Sequence, residues 1–93
     1  MSKPYIRVKM PIFSIPKADK EFWGAEYLTP KGHLSLDCAI LRIEIYTRVN
    51  SLNREDGQSF RLDDVLKHIL GTDKPYATYG EIEELLAPHA IRV

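Results

Sequence analysis

The sequence predicts a small α+β domain, in which a mainly antiparallel sheet comes first and two helices cover it. Two stretches, residues 5–10 and 41–49, alternate apolar and polar side chains. That is the period of a half-buried strand. Residues 63–87 instead carry apolar stripes at helical spacing, each behind a capping residue. With 93 residues the chain suits a single domain, 1–93, built on one core.

In the first stretch, Ile6, Val8 and Met10 share one face and Tyr5, Arg7 and Lys9 the other. Pro4 and Pro11 punctuate its ends, because proline cannot donate to a strand ladder. Pro16 can open a short helix, since its fixed φ suits a first helical position. Residues 22–28 and 33–37 read as two antiparallel strands. The turn between them holds Pro30 and Gly32, which supply the backbone angles a tight turn needs.

Residues 34–49 carry the longest alternating pattern. Leu41, Ile43, Ile45, Thr47 and Val49 share one parity, and the β-branched density favours a strand. Leu34, Leu36, Cys38 and Ile40 occupy the opposite parity. The inward face must therefore switch near residue 39, through a bulge or a break. The alternative is a buried helix over residues 35–51 in a mostly helical chain. Such a helix would carry Leu36, Ile40 and Ile43 on one side and Leu41, Ile45 and Leu52 on the other, with no clean polar face.

Asp56-Gly57 is a tight-turn signal, and residues 59–62 read as a short returning strand. Asp63 is placed to cap a helix whose apolar stripe is Val65, Leu66, Ile69 and Leu70, ended by Gly71. Thr78 and Glu81 form a capping box for a second helix lined by Tyr79, Ile82, Leu85 and Leu86, which Pro88 stops. Residues 90–93 suit a terminal edge strand. The expected core is Ile6, Val8, Met10, Trp23, Leu36, Leu41, Ile43, Ile45, Val65, Leu66, Ile69, Ile82, Leu85 and Leu86.

The run Thr78-Tyr79-Gly80-Glu81-Ile82, within residues 74–86, resembles the start of a helix in the winged helix-turn-helix domain of alkylguanine-DNA alkyltransferases. The resemblance implies helix–loop–helix over residues 63–87. The family's Pro-Cys-His-Arg active-site motif is absent, so alkyl transfer is not implied.

Composition bounds function. A hydrophobic fraction of 44% with 28% charged residues is that of a folded chain, not a disordered one. Cys38 is the single cysteine, so no internal disulfide can form. With no signal-peptide pattern at the start, a reducing cytoplasm is expected, and no apolar stretch is long enough for a membrane span. His33, His68 and His89 stand at no ligand spacing, so neither a metal nor any other cofactor is expected. The carboxylate next to Cys38 disfavours a nucleophile, and a buried inert thiol is expected. These readings point away from an enzyme.

The net charge is zero, yet it divides unevenly. Residues 1–48 carry +3 and residues 49–93 carry −3. Such a split suits a protein with a basic face and an acidic face. The expected function is therefore a non-enzymatic protein-interaction protein: an inhibitor, adaptor or accessory subunit. Its candidate partner-binding residues are Tyr5, Arg7 and Lys9 on the basic side and Asp64, Glu83 and Glu84 on the acidic side. The alternative is a single-stranded RNA or DNA binder. It would use Lys3, Arg7, Lys9, Lys17, Lys20 and Lys31 together with Tyr5, Phe13, Trp23 and Tyr27. The acidic helices would repel phosphate. A homodimer paired through sheet edges is also expected.

Overall fold

The computed structural model describes residues 11–91. The strand expected over residues 5–10, with Ile6, Val8 and Met10 in the core, lies outside the described residues.

The class is α+β. Strands and helices interleave along the chain rather than falling into two blocks. Strand β1 (Ile12–Ser14) pairs antiparallel with β2 (His33–Ser35), placing Phe13 opposite Leu34. Both side chains are buried, at 1% and 0% exposure. A second two-stranded sheet joins β3 (Ser59–Arg61) to β4 (Tyr76–Thr78), with Phe60 opposite Ala77. So two small sheets stand where one was expected. Isolated bridges lie outside three of their edges: Ala90 beside β1, Leu28 beside β2 and Asn53 beside β3. Only the three-residue outer edge of β4 has no such neighbour among the described residues, which leaves little backbone for edge-to-edge pairing.

The strand expected over residues 22–28 is helical. Residues Lys17–Asp19 form a 3-10 turn, Lys20–Trp23 a single α turn (α1), and Ala25–Tyr27 another 3-10 turn. Packing explains it. Adjacent Phe22 and Trp23 both pack on the core, which a strand would prevent by alternating them to opposite faces; Gly24, at φ +88°, then ends α1, and a separate 3-10 turn brings Tyr27 against the same core. Trp23 is 1% exposed and meets Phe22 edge-on, with ring centroids 5.1 Å apart. The turn expected at residues 29–32 is present. The Gly32 amide donates to the Thr29 carbonyl at 2.8 Å, and Gly32 has φ +79°.

The largest departure from expectation is helix α2 (Leu36–Val49), which replaces the long strand. Ser35 caps it, its hydroxyl accepting from the Cys38 amide at 3.3 Å. Ala39, Ile43 and Thr47, four residues apart, are fully buried on one face. Leu36, Cys38, Ile40 and Tyr46 pack against the same core. A helix needs no bulge at residue 39, because both parities of the alternating pattern find places around its axis. Leu41, expected in the core, is instead 45% exposed, and Ile45 is half-buried.

Helix α3 (Asp64–Leu70) starts where Asp63 Oδ1 accepts from the Leu66 amide at 2.8 Å. It ends at Gly71, whose φ of +65° is left-handed. Leu66, Ile69 and Leu70 are buried, whereas Val65, also expected in the core, is 45% exposed. The Thr78–Glu81 capping box is formed. It opens a 3-10 turn (Tyr79–Glu81) that continues into α4 (Ile82–Leu86). The chain then tightens into a 3-10 turn, Ala87–His89, at Pro88. Helices α3 and α4 are thus joined through β4 rather than through a plain loop. At the end of the described chain, the Ile91 amide donates to the Ile12 carbonyl at 2.9 Å, laying this segment beside β1. No helix among the described residues is long and apolar enough to cross a membrane.

Candidate functional site

Two apolar faces run along α2. The inner one carries Ala39, Ile43 and Thr47. At about 100° per residue, Leu41, Ile45 and Val49 project from the opposite side. Val49 is 75% exposed. The outer stripe is not solvated by polar neighbours alone. Ile45 and Val49, but not Leu41, line a groove of about 480 Å³ between α2 and the α1 turn with the 3-10 turn that follows it.

The groove is built from aromatic rings. Phe22, Trp23 and Tyr27 come from the α1 segment, Tyr46 from α2, and Ile45 and Val49 complete the apolar lining. The Phe22 and Tyr46 rings lie 5.1 Å apart. Arg42 is anchored here. Its Nε donates to the Phe22 carbonyl at 2.9 Å, and its guanidinium lies 4.9 Å from the centre of the Phe22 ring. Glu21 and Glu26 also line the groove; both are exposed and form no ion pair among the described residues.

Tyr46 closes the groove toward α3. Its hydroxyl donates to Asp63 Oδ2 at 2.6 Å. Burial, then the hydrogen bond and charge of Asp63, push the phenol up to about 12, with Arg42 opposing. A phenol held that high is a hydrogen-bond donor at neutral pH, not a base.

A second hollow, of about 460 Å³, lies at the edge of the β3–β4 sheet. Arg54 stacks there on Tyr76, 4.1 Å from the ring centre, and Arg61 stands opposite Tyr76 in the strand pair. Glu55 and Asp56 line the same hollow and offset the two arginines.

Of the sequence-predicted site residues, Tyr5, Arg7 and Lys9 lie outside the described residues. Asp64 is exposed in the first turn of α3. Glu83 and Glu84 are exposed in the first turn of α4 and share a shallow hollow with Gly80 and Ala87, which Asp64 does not line. Phe13 and Trp23, offered for base stacking, are core residues at 1% exposure. His68, expected on the polar side of its helix, places Nε2 3.0 Å from Oδ1 of the buried Asp19. Cys38 is a free, half-buried thiol at the start of α2. Among the described residues no cluster of three or more histidine, cysteine or carboxylate side chains is placed to hold a metal.

Trp23 and Tyr27 of this groove are among the aromatics expected for a nucleic-acid face, whereas Phe22, Arg42, Ile45, Tyr46 and Val49 are expected in no site. The signal was present in the apolar groups that a helix over residues 35–51 would carry on both sides. Among the described residues, no element packs over Leu41 or Val49 on this second apolar face.

Compared with protein-family models, with curated sequences and with solved structures, the chain matches none.

Proposed function

We propose that this chain is a non-enzymatic protein-interaction module, an inhibitor, adaptor or accessory subunit, that takes its partner on the outer face of α2. One observation carries the reading: Leu41 and Val49 are exposed on the outer face of α2, and half-buried Ile45 joins Val49 in lining an aromatic groove. Exposed apolar side chains grouped with aromatics and an anchored arginine have the composition of an interface core. The residues singled out from the sequence lie outside the groove lining or outside the described residues. Asp64, Glu83 and Glu84, together with Tyr5, Arg7 and Lys9, would steer the encounter and set orientation more than they add affinity. A reducing cytoplasm suits the free Cys38 thiol.

Affinity capture from the native host, followed by mass spectrometry, tests the proposal. A stoichiometric protein should be retained by the natural chain and lost with Val49→Asp, while circular dichroism of the variant stays unchanged. Equal recovery by both chains, or none by either, would remove the assignment.

Nucleic-acid binding is the second reading, and the Arg54–Tyr76 stack beside Arg61 is the observation that favours it. It requires retention of single-stranded RNA that weakens steeply with salt and falls in Arg54→Ala. Glu55 and Asp56 in the same hollow make it the weaker of the two.

A further inference from the structure

We infer that the groove between α1 and α2 takes a basic amphipathic helix of a partner protein. This rests on the interaction reading above and adds the chemistry of the occupant.

The shape comes first. Leu41, Ile45 and Val49 recur every four residues along α2. They span about 12 Å, a little over two helical turns. A straight ridge with that spacing matches a second helix presenting apolar anchors at i, i+4 and i+7, the helix-in-groove mode of recognition. The aromatic wall of Phe22 and Tyr27 gives Ile45 and Val49 their opposite bank, and Leu41 extends the ridge beyond the groove.

Charge selects among occupants. Glu21 and Glu26 stand in the groove lining without an ion partner among the described residues. The positive charges nearby are already engaged. Arg42 is committed to the carbonyl and ring of Phe22, and Arg48 lies 3.8 Å from Glu44. Lys20 lines a separate hollow with Pro30 and Gly32. Among the described residues, the charge left open at the groove is negative, so lysines or arginines flanking the apolar stripe of the incoming helix complement it.

The same charge disfavours the other occupants. A second copy docked about a two-fold axis would bring Glu21 and Glu26 of each groove toward those of the other. Anionic lipid or nucleic acid would meet carboxylates first.

Two synthetic helices of about 18 residues provide the test, a length at which an isolated helix is no longer marginal. Both carry leucines at i, i+4, i+7 and i+11; one has lysines on its flanks and the other glutamates. Each is titrated into the full chain and followed by amide chemical shifts of α1 and α2. The lysine helix should bind about tenfold tighter than its twin, which corresponds to ~1.4 kcal/mol. That ratio should collapse toward one in the double variant Glu21→Gln/Glu26→Gln. Val49→Ser, at a position too exposed to threaten folding, should weaken both helices.

Equal binding of the twins would overturn the charge preference and leave the interaction surface standing. Binding of neither, with sedimentation showing a dimer that Val49→Asp dissolves, would give the face to a second copy. Binding of neither by a monomer would remove the helical occupant. Loss of the interaction reading itself shows in a different experiment, the failed host capture.

Discussion

Tyr46 and Asp63 tie the middle of α2 to the start of α3: the phenol donates to Oδ2 at 2.6 Å while Oδ1 accepts from the Leu66 amide at 2.8 Å. One carboxylate therefore serves as a helix cap and as a tertiary contact. Tyr46→Phe should cost about 1 kcal/mol through the lost hydrogen bond. Asp63→Ala should cost about 1–2 kcal/mol through the lost cap and the stranded phenol. The double variant should cost less than the sum, because the shared bond is removed only once. Urea unfolding of the four proteins measures this; strict additivity would mean the two groups do not interact.

Alkaline pH should expose the same contact. The Tyr46 phenol is raised to about 12 in the folded chain, chiefly by burial and then by Asp63. In the unfolded chain it ionises near 10. A raised folded value means the contribution is fully present below about pH 10 and is lost as pH climbs toward 12. Stability measured from about pH 9 upward should fall less steeply in Tyr46→Phe than in the natural chain. Parallel curves would sink this assignment.

Acid should act through two turns. Asp56 is held below the usual carboxylate range by the Gln58 amide first, then by the Ser59 hydroxyl and amide. Glu81 is held low by Lys74 and then by the Thr78 amide. Depressed folded values stabilise above the unfolded value near 4, and that contribution disappears as pH falls through the folded values. The variants Asp56→Asn and Glu81→Gln should each lose less stability than the natural chain between about pH 5 and pH 2. Chemical unfolding across that range reads the slopes.

The two faces of α2 predict a sharp contrast. Ile43 is fully buried, and Ile43→Ala should cost about 2–5 kcal/mol. Val49 is 75% exposed, and Val49→Ser should stay within about 0.5 kcal/mol. Thermal unfolding of the two variants decides it. Equal losses would restore the strand, in which both residues share one face.

Gly71 sits at φ +65° with nothing within 4 Å of where a Cβ would stand. Gly71→Ala should therefore cost about 1–2 kcal/mol from backbone strain alone, without a clash. Gly71→Asn should cost less, because asparagine tolerates the left-handed region. An alanine variant as stable as the natural chain would show that the helix can end in another way.

Tyr79 links three elements. Its hydroxyl lies 2.6 Å from Asn53 Oδ1 and 2.7 Å from the buried Thr47 Oγ1. Thr47 can also donate to the Glu44 carbonyl at 3.0 Å, so the network ties α2 to the segment before β3 and to the start of α4 while leaving Thr47 a fallback partner. Its members are far apart in sequence, and no periodicity announces it.

The site was legible only in part. The exposed acids Asp64, Glu83 and Glu84 could be placed from their helix positions, because a cap and an apolar stripe decide which side of a short helix faces water. The groove could not. It exists only once residues 36–49 wind into a helix and Phe22, Trp23 and Tyr27 turn to meet it. Reading Thr47 as one more strand position concealed that it is buried and bonded to Tyr79.

Local chemistry was readable because its partners lie within a few residues. Asp63 capping Leu66, Thr78 answering Glu81, Asp56 folding back on Ser59 and Gly32 closing its turn all complete their hydrogen bonds inside one short segment. The state of α2 was decided elsewhere. Helix and strand preferences of its β-branched residues differ by only a few tenths of a kcal/mol per residue. Burying Ile43 against side chains remote in sequence is worth about 2 kcal/mol. Contacts that form only when the chain has folded outweigh the preference each residue carries alone, and here they turned an alternating stretch into a helix with one face in the core and the other turned outward.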